Sequence, residues 1–82
     1  MSKGIMLTLT VIRRRKKMTQ MDLARVIGVS QPEISYIEGS YFRPSDEILA
    51  EIAKILDFSD RPENLLLPYE EYLDEERGVK VR

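Results

Sequence analysis

Residues 19–39 read TQMDLARVIGVSQPEISYIEG, and this stretch carries the start and stop signals of two consecutive short helices. Thr19-Gln20-Met21-Asp22 has the form of a capping box. The Thr19 hydroxyl accepts from the Asp22 amide, and the Asp22 carboxylate reaches back to the Thr19 amide. A helix from Gln20 to Ile27 follows, with Leu23, Ala24 and Ile27 on its inward side. Gly28 is its natural stop, because glycine enters the left-handed region without a steric cost. Two residues on, Ser30-Gln31-Pro32-Glu33 forms a second box. Pro32 sits in the first turn, where a missing N–H costs nothing. The second helix runs from Gln31 to Glu38, buries Ile34 and Ile37, and ends at Gly39. Two capped helices joined by Gly28-Val29-Ser30 are a helix-turn-helix.

Towards the N-terminus, Ile5 to Lys17 supports two readings. Leu7-Thr8-Leu9-Thr10-Val11 alternates and is β-branched, as a strand is. Ile5, Leu9 and Ile12 fall at helical spacing, and good helix formers continue to Lys17. The helix is the reading adopted. Towards the C-terminus, Gly39 to Arg43 is a loop. Pro44-Ser45 opens a further helix whose stripe is Leu49, Ile52, Ala53 and Leu56, widened by Ile48 and Ile55. Asp60-Arg61-Pro62-Glu63 reads as a third capping box, opening a short helix with Leu65 and Leu66 that Pro68 interrupts. Tyr69 to Arg77 is an acidic helix ending at Gly78, and Val79 to Arg82 frays or pairs as a strand. The expected class is all-α, four or five helices, with residues 1–67 as one domain and 68–82 as a C-terminal helix and tail.

Composition narrows the chemistry. An 82-residue chain supports one core, of a size that is marginally stable without good caps or a second subunit. Cysteine and histidine are both missing, so thiolate metal sites, disulfides and the usual neutral-pH acid–base catalyst are excluded. No cofactor is implied, and the acids lie on exposed helices with no evident cleft, so an enzyme is not expected. No apolar run approaches the ~18 residues of a membrane span. The basic cluster follows the first apolar stretch instead of preceding it, unlike a signal peptide. A cytoplasmic protein without membrane attachment is the expectation. The net charge of −1 conceals a polarity. Met1 to Arg43 has eight Lys/Arg against three acids, or +5, and Pro44 to Arg82 has five against eleven, or −6. A basic working half and an acidic remainder fit a polyanion partner for the first and a solvated or protein-facing surface for the second.

The outward face of the 31–38 helix is Gln31, Pro32, Ser35 and Tyr36. An idle helix surface usually carries Lys–Glu pairs. Amides, hydroxyls and a phenol suit base edges, since glutamine can bond the N6/N7 edge of adenine. Gln20, Ala24, Gly28, Ser30, Ile34, Ile37 and Glu38 together make the segment similar to the helix-turn-helix core of Cro/cI-type repressors, also called the XRE family. The likeness runs from about Ile12 to Leu66 and includes Arg43-Pro44-Ser45 and the Leu49/Ile52/Ala53/Leu56 helix.

The resemblance implies a compact lambda-repressor-like domain that binds double-stranded operator DNA as a homodimer, in a prokaryote or phage. It implies that Gln31 and Pro32, with Tyr36 one turn on and Ser35 beside them, touch base edges. Gln20 would bond a phosphate and brace Gln31. Arg43 matches a phosphate position that Ser40 or Tyr41 assists. Arg13 matches a basic position near the end of the first helix, as a phosphate contact or an internal salt bridge. Lys17 and its neighbours from Arg14 onward contribute contacts or field.

Four residues depart from the family pattern. Pro32 replaces a polar reader, Asp46 replaces an apolar residue, and Lys17 and Asp57 stand where glycine is usual. Beyond Leu67 nothing aligns. There Tyr69, Tyr72 and Leu73 either form a dimer seam or fold back on the core, the seam being the reading adopted, and the acidic half is the surface that an antitoxin-like or adaptor protein would offer a protein partner.

Overall fold

The computed structural model describes residues 6–76, and five α-helices account for most of them. They are α1 Thr8–Arg15, α2 Gln20–Ile27, α3 Gln31–Glu38, α4 Asp46–Ile55 and α5 Tyr69–Glu76, with a 3-10 helix Pro62–Leu66 between α4 and α5. Arg77 and Gly78, the expected end of the last helix, and the tail 79–82 lie outside the described residues, as does Ile5. One core joins Leu9, Leu23, Ile34, Ile37, Leu49, Ile52, Leu56 and Leu65, all 2% exposed or less.

Both capping boxes of the central stretch form. Thr19 Oγ1 accepts from the Asp22 amide at 3.0 Å and the Asp22 carboxylate from the Thr19 amide at 2.9 Å. Ser30 and Glu33 repeat the pattern at 3.3 and 3.4 Å. Gly28 closes α2 at φ 91°, and the Gly28 and Val29 amides both return to the Ala24 carbonyl. Ser45 caps α4 by accepting from the Ile48 amide.

Two expectations are corrected. The first helix begins at Thr8, because Leu7 makes an isolated antiparallel bridge with Pro68. The Thr8 amide and hydroxyl both donate to the Leu67 carbonyl at 2.9 Å. The strand-like alternation thus describes one residue, Leu7, and the helical spacing describes Thr8 onward. The third capping box does not form: Asp60 accepts from the adjacent Arg61 amide at 2.8 Å, and no side chain caps the turn that begins at Pro62. That turn is 3-10, and it stops at Leu67 (ψ 147°) because a residue before proline is pushed out of the helical region. α3 ends at Gly39 as expected, with Gly39 at φ −87° and Ser40 in the left-handed conformation, φ 64°. Gly39 is small for a different reason. A Cβ there would meet the Tyr41 ring at 2.8 Å.

Lys17 (φ 61°) and Asp57 (φ 56°), which stand where the family pattern has glycine, are both left-handed. A side chain in that region costs about 1–2 kcal/mol, and glycine gives back about 0.5–1 kcal/mol of that as chain entropy. Lys17→Gly is therefore expected to stabilise the fold by about 0.5–1 kcal/mol, raising the melting temperature by about 2–8 °C. A lower melting temperature in a calorimetric scan would contradict the assignment.

Candidate nucleic-acid interface

The packing of α2 on α3 sets which side of α3 meets solvent. Leu23 and Ala24 of α2 are buried with Ile34 and Ile37 of α3, and Ile27 and Val29 pack at the edge. Ala24 is 2% exposed, a small residue inside the most extensive helix–helix contact of the fold. With Ile34 and Ile37 inward, Pro32 and Tyr36 are exposed and Gln31 and Ser35 half-buried. These four are the residues expected to read bases, and they share the outer side of one helix.

A chain of side-chain hydrogen bonds runs beneath that surface. Gln31 Nε2 donates to Gln20 Oε1 at 2.8 Å, and Gln20 Nε2 donates to Glu38 Oε1 at 3.0 Å. Glu38 also receives a two-pronged contact from Arg13, with Nε to Oε2 at 2.6 Å and Nη2 to Oε1 at 3.0 Å. The third Arg13 nitrogen donates to the Met18 carbonyl at 2.6 Å. The Arg13 and Glu38 side chains are each 7% exposed. Of the two roles expected for Arg13, the internal salt bridge is the one its position permits, because its guanidinium is enclosed and already committed. The participation of Glu38 escaped the sequence reading. A signal was present: Arg13 follows Leu9, and Glu38 follows Ile34, by four residues, so each charge lies on an otherwise buried stripe.

Between the end of α1 and the start of α2 lies an open groove of about 520 Å3, whose lining includes Arg14, Lys17, Thr19, Gln20 and Gln31. Arg14 and Lys17 form no ion pair among the described residues. Their neighbours are occupied, since Lys16 meets Asp57 at 3.1 Å and Arg15 lies over the Tyr69 ring at 5.3 Å. The capping box uses the Thr19 and Asp22 amides, which leaves those of Gln20 and Met21 without intrahelical partners. These amides and the positive helix end favour an anion in the groove.

The amide of Thr19, and then its hydroxyl, hold the Asp22 carboxyl below its ordinary value, with a smaller contribution from the Arg25 charge. A lowered native value means that the box stabilises α2 above the unfolded pKa of about 3.9. That stability is lost as pH falls through the native value, so the groove keeps its shape throughout neutral conditions.

The loop after α3 supplies a second exposed patch. Ser40 and Arg43 are exposed, and Tyr41 is 83% exposed. The Tyr36 and Tyr41 rings meet edge to face at 6.3 Å. With Glu33 and Phe42 they line a shallow, largely apolar depression of about 390 Å3 beside α3. Arg43 reaches Asp46 at 3.3 Å, yet its side chain stays 57% exposed. The Asp46 carboxylate, unusual for the family pattern, thus orients a cation. Away from this surface, the Tyr72 ring packs on Phe58 at 5.6 Å between centroids and the Tyr69 amide donates to the Met6 carbonyl. The two tyrosines of α5 therefore fold back on the protein's own surface.

A sequence profile described as helix-turn-helix matches residues 11–61, more than half of the chain. No curated protein and no solved structure matches it. The matched span holds α2, α3, the groove, the loop to Arg43 and the buried Arg13–Glu38 pair, and stops before α5.

Proposed function

The chain belongs to the Cro/cI-type helix-turn-helix family of DNA-binding regulators, and from that premise we propose that it is a sequence-specific transcriptional repressor. It inserts α3 into the major groove of double-stranded DNA and binds a palindromic operator as a homodimer. The observation that carries this reading is the composition and exposure of one surface. Gln31, Pro32, Ser35 and Tyr36 lie outward on α3, on a helix about 10–12 Å across that matches a groove about 12 Å wide. Gln31 and Tyr36 meet base edges, Pro32 and Ser35 offer apolar and hydroxyl contact, and Gln20, Lys17, Ser40, Tyr41 and Arg43 hold phosphates on either side. Base contacts specify and phosphate contacts position, so the two groups fail differently when removed. Two copies spaced one helical turn apart, about 34 Å, reach two half-sites. Occupancy of a promoter by such a dimer is sufficient for repression.

Selection of bound sequences from random DNA at physiological salt is the test. A palindromic consensus with half-sites about 10 base pairs apart is the expected result, together with two protomers per duplex by light scattering. Equal affinity for random and selected DNA would overturn the reading. Gln31→Ala should cost about 1–3 kcal/mol on the operator and relax preference at one position, whereas Arg43→Ala should weaken all sequences alike. Titrations of both variants on selected and scrambled duplexes separate the two behaviours.

A further inference from the structure

We infer that Glu38 is a positioning residue that dictates which base Gln31 accepts, acting through Gln20 without touching DNA. The inference rests on the reading of Gln31 as a base contact and deepens it. A carboxylate paired with Arg13 offers only acceptors, so the Gln20 amide can approach it only with its NH2 group, as it does at 3.0 Å. The Gln20 oxygen must then face the other way, where it accepts from Gln31 at 2.8 Å. Gln31 is thereby obliged to spend one N–H on Gln20. What remains for the groove is its other N–H and its carbonyl oxygen, one donor and one acceptor side by side. That pair matches the N7 acceptor and N6 donor of adenine. With the opposite polarity, Gln31 would spend its oxygen on Gln20 and present two donors, which match O6 and N7 of guanine. The direction of the chain is fixed at its far end, by the one member that cannot donate. Arg13 holds that end in place with two hydrogen bonds to Glu38.

The test compares base preference at the position facing Gln31 in three proteins: the wild type, Gln31→Ala, and the paired variant Arg13→Met with Glu38→Gln. The paired variant removes the buried cation with its carboxylate and lets Gln20 take either orientation. The wild type is expected to favour adenine over guanine there by about tenfold, and Gln31→Ala to lose that preference. The paired variant should bring the ratio towards one while leaving preference at other positions unchanged. A wild type with no sequence preference anywhere overturns the functional reading itself. A specific wild type that favours guanine at this position, or a folded paired variant that keeps the tenfold ratio, overturns only the role of Glu38. If the paired variant does not fold, the wild type supplies the reading by nuclear magnetic resonance. One Gln31 side-chain amide proton should be protected from exchange and close to Gln20, and the Gln20 amide protons close to the Arg13 Nη2 protons, which share Glu38 Oε1 with them. Side-chain amide protons of Gln31 that exchange as fast as those of free glutamine would overturn it.

Discussion

Glu38→Ala should lower the unfolding free energy by about 3–5 kcal/mol, because it strands a buried guanidinium. Arg13 is 6% exposed, and its nitrogens face the two Glu38 oxygens and the Met18 carbonyl. Without the carboxylate only the Met18 bond remains, and water cannot replace the loss without opening the interface between α1, α2 and α3. A domain of this size has about 5–15 kcal/mol in total, and each kcal/mol moves its melting temperature by about 4–8 °C. A fall of about 12 °C or more is therefore expected, visible by circular dichroism. The comparison that isolates the cause is the paired change Arg13→Met with Glu38→Leu. Replacing both members of a buried pair by apolar residues is often neutral, so most of the loss should be recovered. Lys16→Ala, which breaks the exposed contact with Asp57, should change stability by less than about 1 kcal/mol. If Glu38→Ala cost no more than Lys16→Ala, the pair would have to be open to water, contrary to its burial.

That pair also marks where reading the chain stops working. The boundaries of α2 and α3 follow from signals no more than four residues apart. A hydroxyl and a carboxylate three positions on close each start, and Gly28 closes α2. Local chemistry of this kind survives in any tertiary context, so these two helices and the outward set Gln31, Pro32, Ser35 and Tyr36 were legible. The start of α1 was not, because Leu7 is held by Pro68 and Thr8 by Leu67, partners about sixty positions away. Asp60-Arg61-Pro62-Glu63 has the letters of a box, but Pro68 draws Leu67 out of the helical region and leaves room only for a tight turn. Arg13 and Glu38 are 25 positions apart, so although each charge lies on a buried stripe, that the two meet depended on tertiary placement. Tyr69 and Tyr72 meet Arg15 and Phe58 of their own chain, partners 54 and 14 positions away that no local signal points to. Resemblance contributed geometry where composition was silent: the glycine pattern at Lys17 and Asp57 marks left-handed turns that the chain keeps even with side chains.

Affinity for the operator should fall by about a thousandfold between 50 and 200 mM salt, a slope near −5 in a plot of log affinity against log salt. On the proposed interface three cations per protomer would reach phosphate. Arg14 and Lys17 line the groove at the start of α2, and Arg43 stands exposed in the loop after α3. Two protomers supply about six such contacts, each releasing close to one counterion. The other basic residues of α1 and its end do not count. Arg13 is buried, Arg15 covers Tyr69, and Lys16 is paired with Asp57 outside the groove and less exposed (41%) than Arg43 (57%), which has to exchange Asp46 for phosphate. The net charge of −1 is no obstacle, since fields are screened beyond about 10 Å at moderate salt and the molecule measures 37 × 33 × 24 Å. The slope therefore reports how many copies bind as well as which residues do. A single protomer would give about −3, and Arg43→Ala in the dimer should flatten the slope by about 2, one contact per subunit. A slope near −9 would mean that Arg15 and Lys16 leave their internal partners on DNA, and a slope shallower than −2 would remove the groove and Arg43 from the contact set.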